Sequence, residues 1–167
     1  MLEPMAAIRP YTETDHAGLL RLIRELQDHI SSLDPLRRLK SGNGFDVEAY
    51  MTNTMEKVRK ERGCILVADD GNGIIGCVIG IIPSPSPEQS LESPPILEGV
   101  ILELIVARKH RGSGVGSMLM EAMEQYYREE GAEYSRVSCF APNEDAHRFY
   151  GACGYGDRNI EMLKSLF

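Results

Sequence analysis

A chain of 167 residues fits one folded domain, and 43% hydrophobic with 26% charged residues is a globular composition that excludes wholesale disorder. Folding at this length buries roughly 70% of the surface the unfolded chain exposes, so no disulfide or metal staple is required. Lys plus Arg total 18 against 25 Asp plus Glu, and the net charge of −7 argues against nucleic acid or an anionic membrane as the default partner.

Ala7 to Pro10 reads as a first strand, and Thr12-Glu13-Thr14-Asp15 offers helix N-caps. Leu19, Ile23, Leu26 and Ile30 recur at helical spacing, which predicts an amphipathic helix over 15–31 broken by Asp34-Pro35. A linker with Arg37, Arg38 and Lys40 then turns at Gly42-Asn43-Gly44. Asp46 can cap a second helix whose apolar face is Val47, Tyr50, Met51, Met55 and Val58, with Gly63 as its stop. Cys64 to Ala68 and Ile74 to Ile82 flank a Gly/Asn/Asp turn and read as a hairpin. Residues 83–95 hold five prolines and form a surface loop inside the domain.

Val100 to Ala107 is apolar on both alternating faces except at Glu103, the pattern of a central strand covered on both sides. Past Arg108-Lys109-His110-Arg111-Gly112-Ser113-Gly114, a third helix shows Val115, Met118, Leu119, Ala122, Met123 and Tyr126 on one face, and Gly131 ends it. Arg136 to Phe140 reads as a strand, Asn143 caps a short helix with Ala146, Phe149 and Tyr150 inward, and Tyr155 to Leu166 reads as a last strand region. The order β-α-α-β-β-β-α-β-α-β predicts an α/β fold with a mixed sheet.

Cys64, Cys77, Cys139 and Cys153 show neither C-x-x-C spacing nor companion histidines for zinc. Met1 to Pro10 lacks a basic region followed by an apolar core, and the nearly apolar run Gly73 to Ile82 is about half the ~20 residues of a membrane helix. The expectation is a cytoplasmic protein with free thiols, no metal and no membrane partner.

The feature richest in chemistry is Val106 to Gly116 leading into the third helix. Gly112, Gly114 and Gly116 let the backbone approach a ligand closely, and the free N–H groups of a helix start attract an anion, most naturally a phosphate or pyrophosphate. A Walker loop would end in Gly-Lys-Ser/Thr, but Gly114-Val115-Gly116-Ser117 has no lysine. A dinucleotide fingerprint would place Gly112, Gly114 and Ser117 at near-correct spacing, but its ribose acid would fall at Glu129, Glu130 or Glu133, at the wrong end of the helix.

Leu104-Ile105-Val106 followed by Arg111-Gly112-Ser113-Gly114-Val115-Gly116 resembles the first motif of the GNAT superfamily of N-acetyltransferases. Asn143-Glu144-Asp145-Ala146-His147-Arg148-Phe149-Tyr150 and then Gly154-Tyr155 resemble its second, in the same order. Arg108 departs from the pattern, since many members have proline there. The resemblance implies a single domain over 1–167, with a mixed central sheet of about 6–7 strands and helices on both faces. It implies acetyl-coenzyme A as cosubstrate, with its pyrophosphate on the turn and helix start from Arg111 through Ser117. It also implies a pantetheine arm along Leu104, Ile105 and Val106, and a contact from Asn143, which equally suits a helix N-cap. The strand at 136–140 would splay from the Leu104 strand to admit the thioester.

By the same resemblance Tyr150 is the general acid for the departing thiolate, a transfer made easier if the site lowers a phenol pKa that is ordinarily near ~10. For the base that frees the attacking amine, Glu103 stands out as a charge in an apolar strand, with Glu98 or a water as alternatives. His147 reads as a surface residue and Cys139 as a strand cysteine with nothing to activate it. The acceptor is expected to be a primary amine of a small molecule or peptide, bordered by 31–46 and 83–95. The reading from another class is a non-catalytic acyl-coenzyme A-binding module of the same fold. Dimerisation is compatible with the sequence but not demanded by it.

Overall fold

The computed structural model describes residues 6–166; Met1 to Met5 and Phe167, which belong to the leader reading and to the 1–167 span, lie outside the described residues. The elements run β1 (Ala7–Pro10), α1 (His16–Ser31), α2 (Val47–Lys60), β2 (Cys64–Asp69), β3 (Ile74–Ile81), α3 (Pro87–Glu92), β4 (Glu98–Val106), α4 (Val115–Glu129), β5 (Tyr134–Arg136) and α5 (Glu144–Ala152). One five-stranded sheet has the spatial order β1-β2-β3-β4-β5. Neighbours are antiparallel except β4 and β5, which are parallel and joined through the crossover helix α4.

Local chemistry sets the helix starts. Asp46 Oδ1 accepts from Ala49 N at 3.0 Å and caps α2. Arg9, on β1, donates to both Asp15 oxygens at 2.7 and 2.8 Å and to Asp69 Oδ2 at 2.6 Å, tying the entry to α1 to the end of β2. Each face of the sheet carries its own core. Leu19, Leu22 and Ile23 of α1 with Val47, Met51 and Val58 of α2 cover one side; Val115, Leu119, Met120, Met123 and Tyr127 of α4 cover the other.

Two glycines let α4 lie close. A Cβ at Gly80 would fall 2.1 Å from the Tyr127 hydroxyl, and one at Gly99 would fall 2.3 Å from Tyr127 Cδ2. Gly63 also serves close approach, since a Cβ there would meet Gly80 O at 2.4 Å. The left-handed position after α2 is taken by Arg62 (φ 46°), not by the glycine expected to stop the helix.

A bulge shapes the middle of β4. Ile79 faces Glu103 and Gly80 faces Ile101, so Leu102 is inserted without a partner on β3. Val100, Leu102 and Ile105 therefore pack toward α1 and α2, while Ile101, Leu104 and Val106 pack toward α4. Leu102 and Glu103 share the α2 side, and simple alternation along the strand is broken there.

The sheet departs from the expected 6–7 strands in its last third. The strand expected at 136–140 is Tyr134–Arg136, and 155–166 contains no strand among the described residues. Both segments alternate apolar side chains but lack a continuing backbone partner, and Ile160, Met162, Leu163 and Leu166 stand exposed. The proline-rich segment also holds α3, started by a Ser86–Gln89 capping box with Pro87 in the first turn. Pairing of β4 with β5 stops at Val100–Arg136, yet β4 runs on to Val106. From Ile101 onward its outer edge has no strand beside it among the described residues.

Candidate active site

The turn between β4 and α4 is built to leave N–H groups free. Gly112 (φ 75°) and Gly114 (φ 86°) take left-handed conformations, and a Cβ on either would meet open space. Gly114 is the N-cap of α4 and brings no side-chain cap. Met118 N closes the first helical bond to Gly114 O at 3.1 Å. Among the described residues no chain acceptor bonds the backbone N–H of Gly112, Ser113, Gly114, Val115, Gly116 or Ser117. Val115 is buried at 1% exposure and anchors the turn, and a Cβ on Gly116 would press on Phe149 Cζ at 3.2 Å. The turn can therefore cradle an anion at the positive end of α4.

The Arg111 side chain braces the turn from behind. Its Nε donates to Val106 O at 3.0 Å and its Nη2 to Glu25 Oε1 at 3.3 Å, and the same carboxylate oxygen accepts from Arg108 N at 2.9 Å. Ser113 Oγ donates to His110 O at 2.5 Å; burial raises the Cys153 thiol, and the Ser117 hydroxyl works against that rise. Leu104 and Ile105 pair with Val78 and Cys77 on β3, leaving the other edge of β4 for a ligand.

The bulge turns Glu103 toward α2, where the Tyr50 hydroxyl donates to Glu103 Oε1. Burial raises the Glu103 carboxyl above its ordinary range, and the bond from Tyr50 works against that rise. Tyr150, from α5, reaches the same region across the β4–β5 split. Its ring stacks edge-on with Phe149 at 5.4 Å and Tyr155 at 6.1 Å. Burial is the main cause that pushes its phenol up; Cys139, Tyr155, Glu103 and Cys153 add to it. A lowered phenol would have eased acid catalysis, and the structure moves it the other way. Tyr150 lines an open cleft of about 1750 Å³ that β5, α5 and the C-terminal segment border.

The remaining candidates are engaged elsewhere. Asn143 caps α5 through Oδ1 to Ala146 N at 3.3 Å. Glu98 is held by Arg136 at 3.0 Å and Arg158 at 3.7 Å. His147 bonds Asp157 at 2.7 Å in solvent. Cys139 has its thiol raised by burial, which disfavours a nucleophilic thiolate. Among the described residues no group of His, Cys, Asp and Glu is placed to hold a metal ion, and no helix is long and apolar enough to cross a membrane.

Sequence reasoning missed two partners. Tyr50 reads as one more apolar position on α2, and Glu25 stands out by no motif. Neither carries a local signal, because the residues they hold lie far off along the chain.

The chain belongs to the acetyltransferase (GNAT) family, whose model matches residues 27–155. It is 38% identical over 68 residues to the aminoalkylphosphonate N-acetyltransferase of Salmonella typhimurium, covering 41% of this chain and 44% of that protein. It is 30% identical over 154 residues to the Arabidopsis thaliana protein named "Probable N-acetyltransferase HLS1-like", covering 87% of this chain and 35% of that one. The matches thus span less than half the length of these relatives. In fold, the chain is similar to the BH1408 protein of Bacillus halodurans (TM-score 0.82, 19% identity, 96% and 99% of the two chains). It is also similar to glucosamine-6-phosphate N-acetyltransferase of Arabidopsis thaliana (TM-score 0.67, 18% identity, 98% and 100%).

Proposed function

We propose that this protein transfers the acetyl group of acetyl-coenzyme A to a primary amine by direct attack within a ternary complex. The observation that carries this reading is the uncapped start of α4, with its free N–H groups, beside the unpaired edge of β4. The turn suits a pyrophosphate and the strand edge suits the amides of a pantetheine arm. The whole span 1–167 then acts as one catalytic domain.

Glu103 takes the proton of the incoming ammonium, directly or through a water, and its raised pKa brings it closer to the basicity such a step needs. The amine nitrogen then forms its bond to the acetyl carbon, and donors along β4 steady the oxygen as it gains charge. The C–S bond breaks with its electron pair on sulfur. Tyr150 keeps its proton through the physiological range and can hand it to that sulfur, and the second proton of the attacking nitrogen, released as the amide forms, restores the phenol directly or through a water. Burial raises phenol and thiolate alike, so the transfer does not depend on a lowered phenol.

A small amine is the first acceptor class to test, since the Salmonella relative is named for an aminoalkylphosphonate. The experiment is thiol release from acetyl-coenzyme A across a panel of amines, with Tyr150→Phe and Glu103→Gln beside the native protein. We expect both variants to bind acetyl-coenzyme A and to lose at least tenfold in turnover. Unchanged turnover in both sinks the two assignments. A thermal shift with acetyl-coenzyme A and no thiol release for any amine favours a binding module instead.

A further inference from the structure

We propose that Tyr50 is the positioning residue of this site: its hydroxyl, donated to Glu103 Oε1, fixes the direction of the carboxylate and sets the pH at which it gains a proton. The inference rests on the reading of Glu103 as the base.

The geometry that supports it comes from three elements. The Leu102 bulge puts Glu103 on the α2 side of the sheet, where without it the residue would face the other core. Tyr50 sits one turn into α2, a helix whose start is fixed by Asp46. Phe45 packs against the Tyr50 ring with centroids 5.3 Å apart, and Thr54 Oγ1 donates to the Tyr50 carbonyl at 2.9 Å. The Phe45 ring thus restricts the Tyr50 side chain, so less side-chain freedom is lost when the bond to the carboxylate forms.

The other ionisable groups that face Glu103 are the buried Cys77 thiol on β3 and the Tyr150 phenol on α5. Both are neutral where Glu103 titrates, and neither is bonded to it. Among the described residues no cation pairs with Glu103. The Tyr50 hydroxyl is therefore the one direct support for the ionised form, against a burial that opposes it.

The test has two arms that separate this inference from the reading beneath it. Isotope-labelled glutamate side chains are followed by NMR through a pH titration, and Glu103→Gln identifies the Glu103 signal by its loss. In Tyr50→Phe the midpoint of that signal should rise by about one pH unit, the size expected for losing a hydrogen bond to a charged group. Thermal unfolding checks that the variant keeps the fold, and Tyr50→Met repeats the test without a ring. An unmoved midpoint in both variants overturns the inference, whatever the role of Glu103. In the second arm, the acid limb of kcat/KM for the best amine should move up with the NMR midpoint, with KM for acetyl-coenzyme A unchanged. A moved midpoint with a fixed acid limb upholds the Tyr50–Glu103 linkage and rejects Glu103 as the base, and with it the catalytic part of the inference.

Discussion

Arg111 and Glu25 meet at 3.3 Å and join the glycine turn to α1, while the same guanidinium caps the Val106 carbonyl. The Arg111 side chain is thus part of the frame that shapes the turn. Arg111→Glu removes both bonds and sets two carboxylates against each other, so acetyl-coenzyme A binding should weaken about tenfold or more, read by calorimetry. Glu25→Gln keeps the arginine and loses only an exposed ion pair, for which less than about fivefold is expected. Equal losses would mean that the Arg111–Glu25 pair carries all of the arginine's contribution.

The glycines divide into two kinds, and stability should separate them. Gly80→Ala drives a Cβ toward the Tyr127 hydroxyl and the Met123 sulfur, at 2.1 and 2.8 Å. Overpacking of this sort costs typically about 1–3 kcal/mol or more, because α4 must shift. Gly114→Ala meets no neighbour, and its cost is that of a left-handed alanine, about 1 kcal/mol. Denaturant unfolding of the two variants should rank Gly80→Ala as the more damaging. The reverse order would contradict the close packing of α4 on β3.

Acid should draw down the stability that the Arg9 cluster lends. Arg9, bonded to both Asp15 oxygens, holds the Asp15 carboxyl well below the usual carboxylate range, and Asp69 is lowered by the same guanidinium. A carboxyl whose folded pKa is depressed lends stability that is fully present above its unfolded pKa of about 4 and fades as pH falls through the folded value. Asp15→Asn should therefore flatten the dependence of unfolding free energy on pH below about 4 and leave its slope near neutrality unchanged. An unaltered acid slope would remove Asp15 from the account.

The thiols should react in two classes. Burial pushes Cys64 up to about 12, and Cys77 is fully enclosed between the sheet and the cores. Cys139 and Cys153 border the open cleft. At pH 8 a thiol reagent should modify Cys139 and Cys153 slowly and spare Cys64 and Cys77 until the protein unfolds. Mass mapping after partial labelling would show any other order.

Periodicity made α1, α2 and α4 legible in the sequence, because each buries an apolar stripe against a sheet and the stripe is local information. The glycine turn before α4 was legible for a similar reason: glycines at left-handed positions and a helix start are written within a few consecutive residues. The Leu102 bulge was not. Val100 to Ala107 is apolar almost throughout, so no alternation existed to show a register change, and the side on which Glu103 emerges could not be derived. The end of the chain misled in the opposite sense. Residues 155–166 carry strand-like side chains, but a strand needs a neighbour's backbone, and side-chain pattern does not say whether one is there.

The early parting of β4 and β5 has one more consequence. Loose edges usually lie on the rim of a sheet, where they invite aggregation. Here the loose edge begins partway along β4, where β5 ends at Arg136. On the proposed function, a pantetheine arm laid along it would act as a visiting strand, and the bonds that seat it would also be bonds of the sheet. Occupancy and cohesion then rise together: a hundredfold excess of ligand over its dissociation constant would add about 2.7 kcal/mol to the stability of the fold. The melting temperature of this protein becomes a gauge of how full its site is, and it can rank candidate acyl donors before any acceptor has been identified.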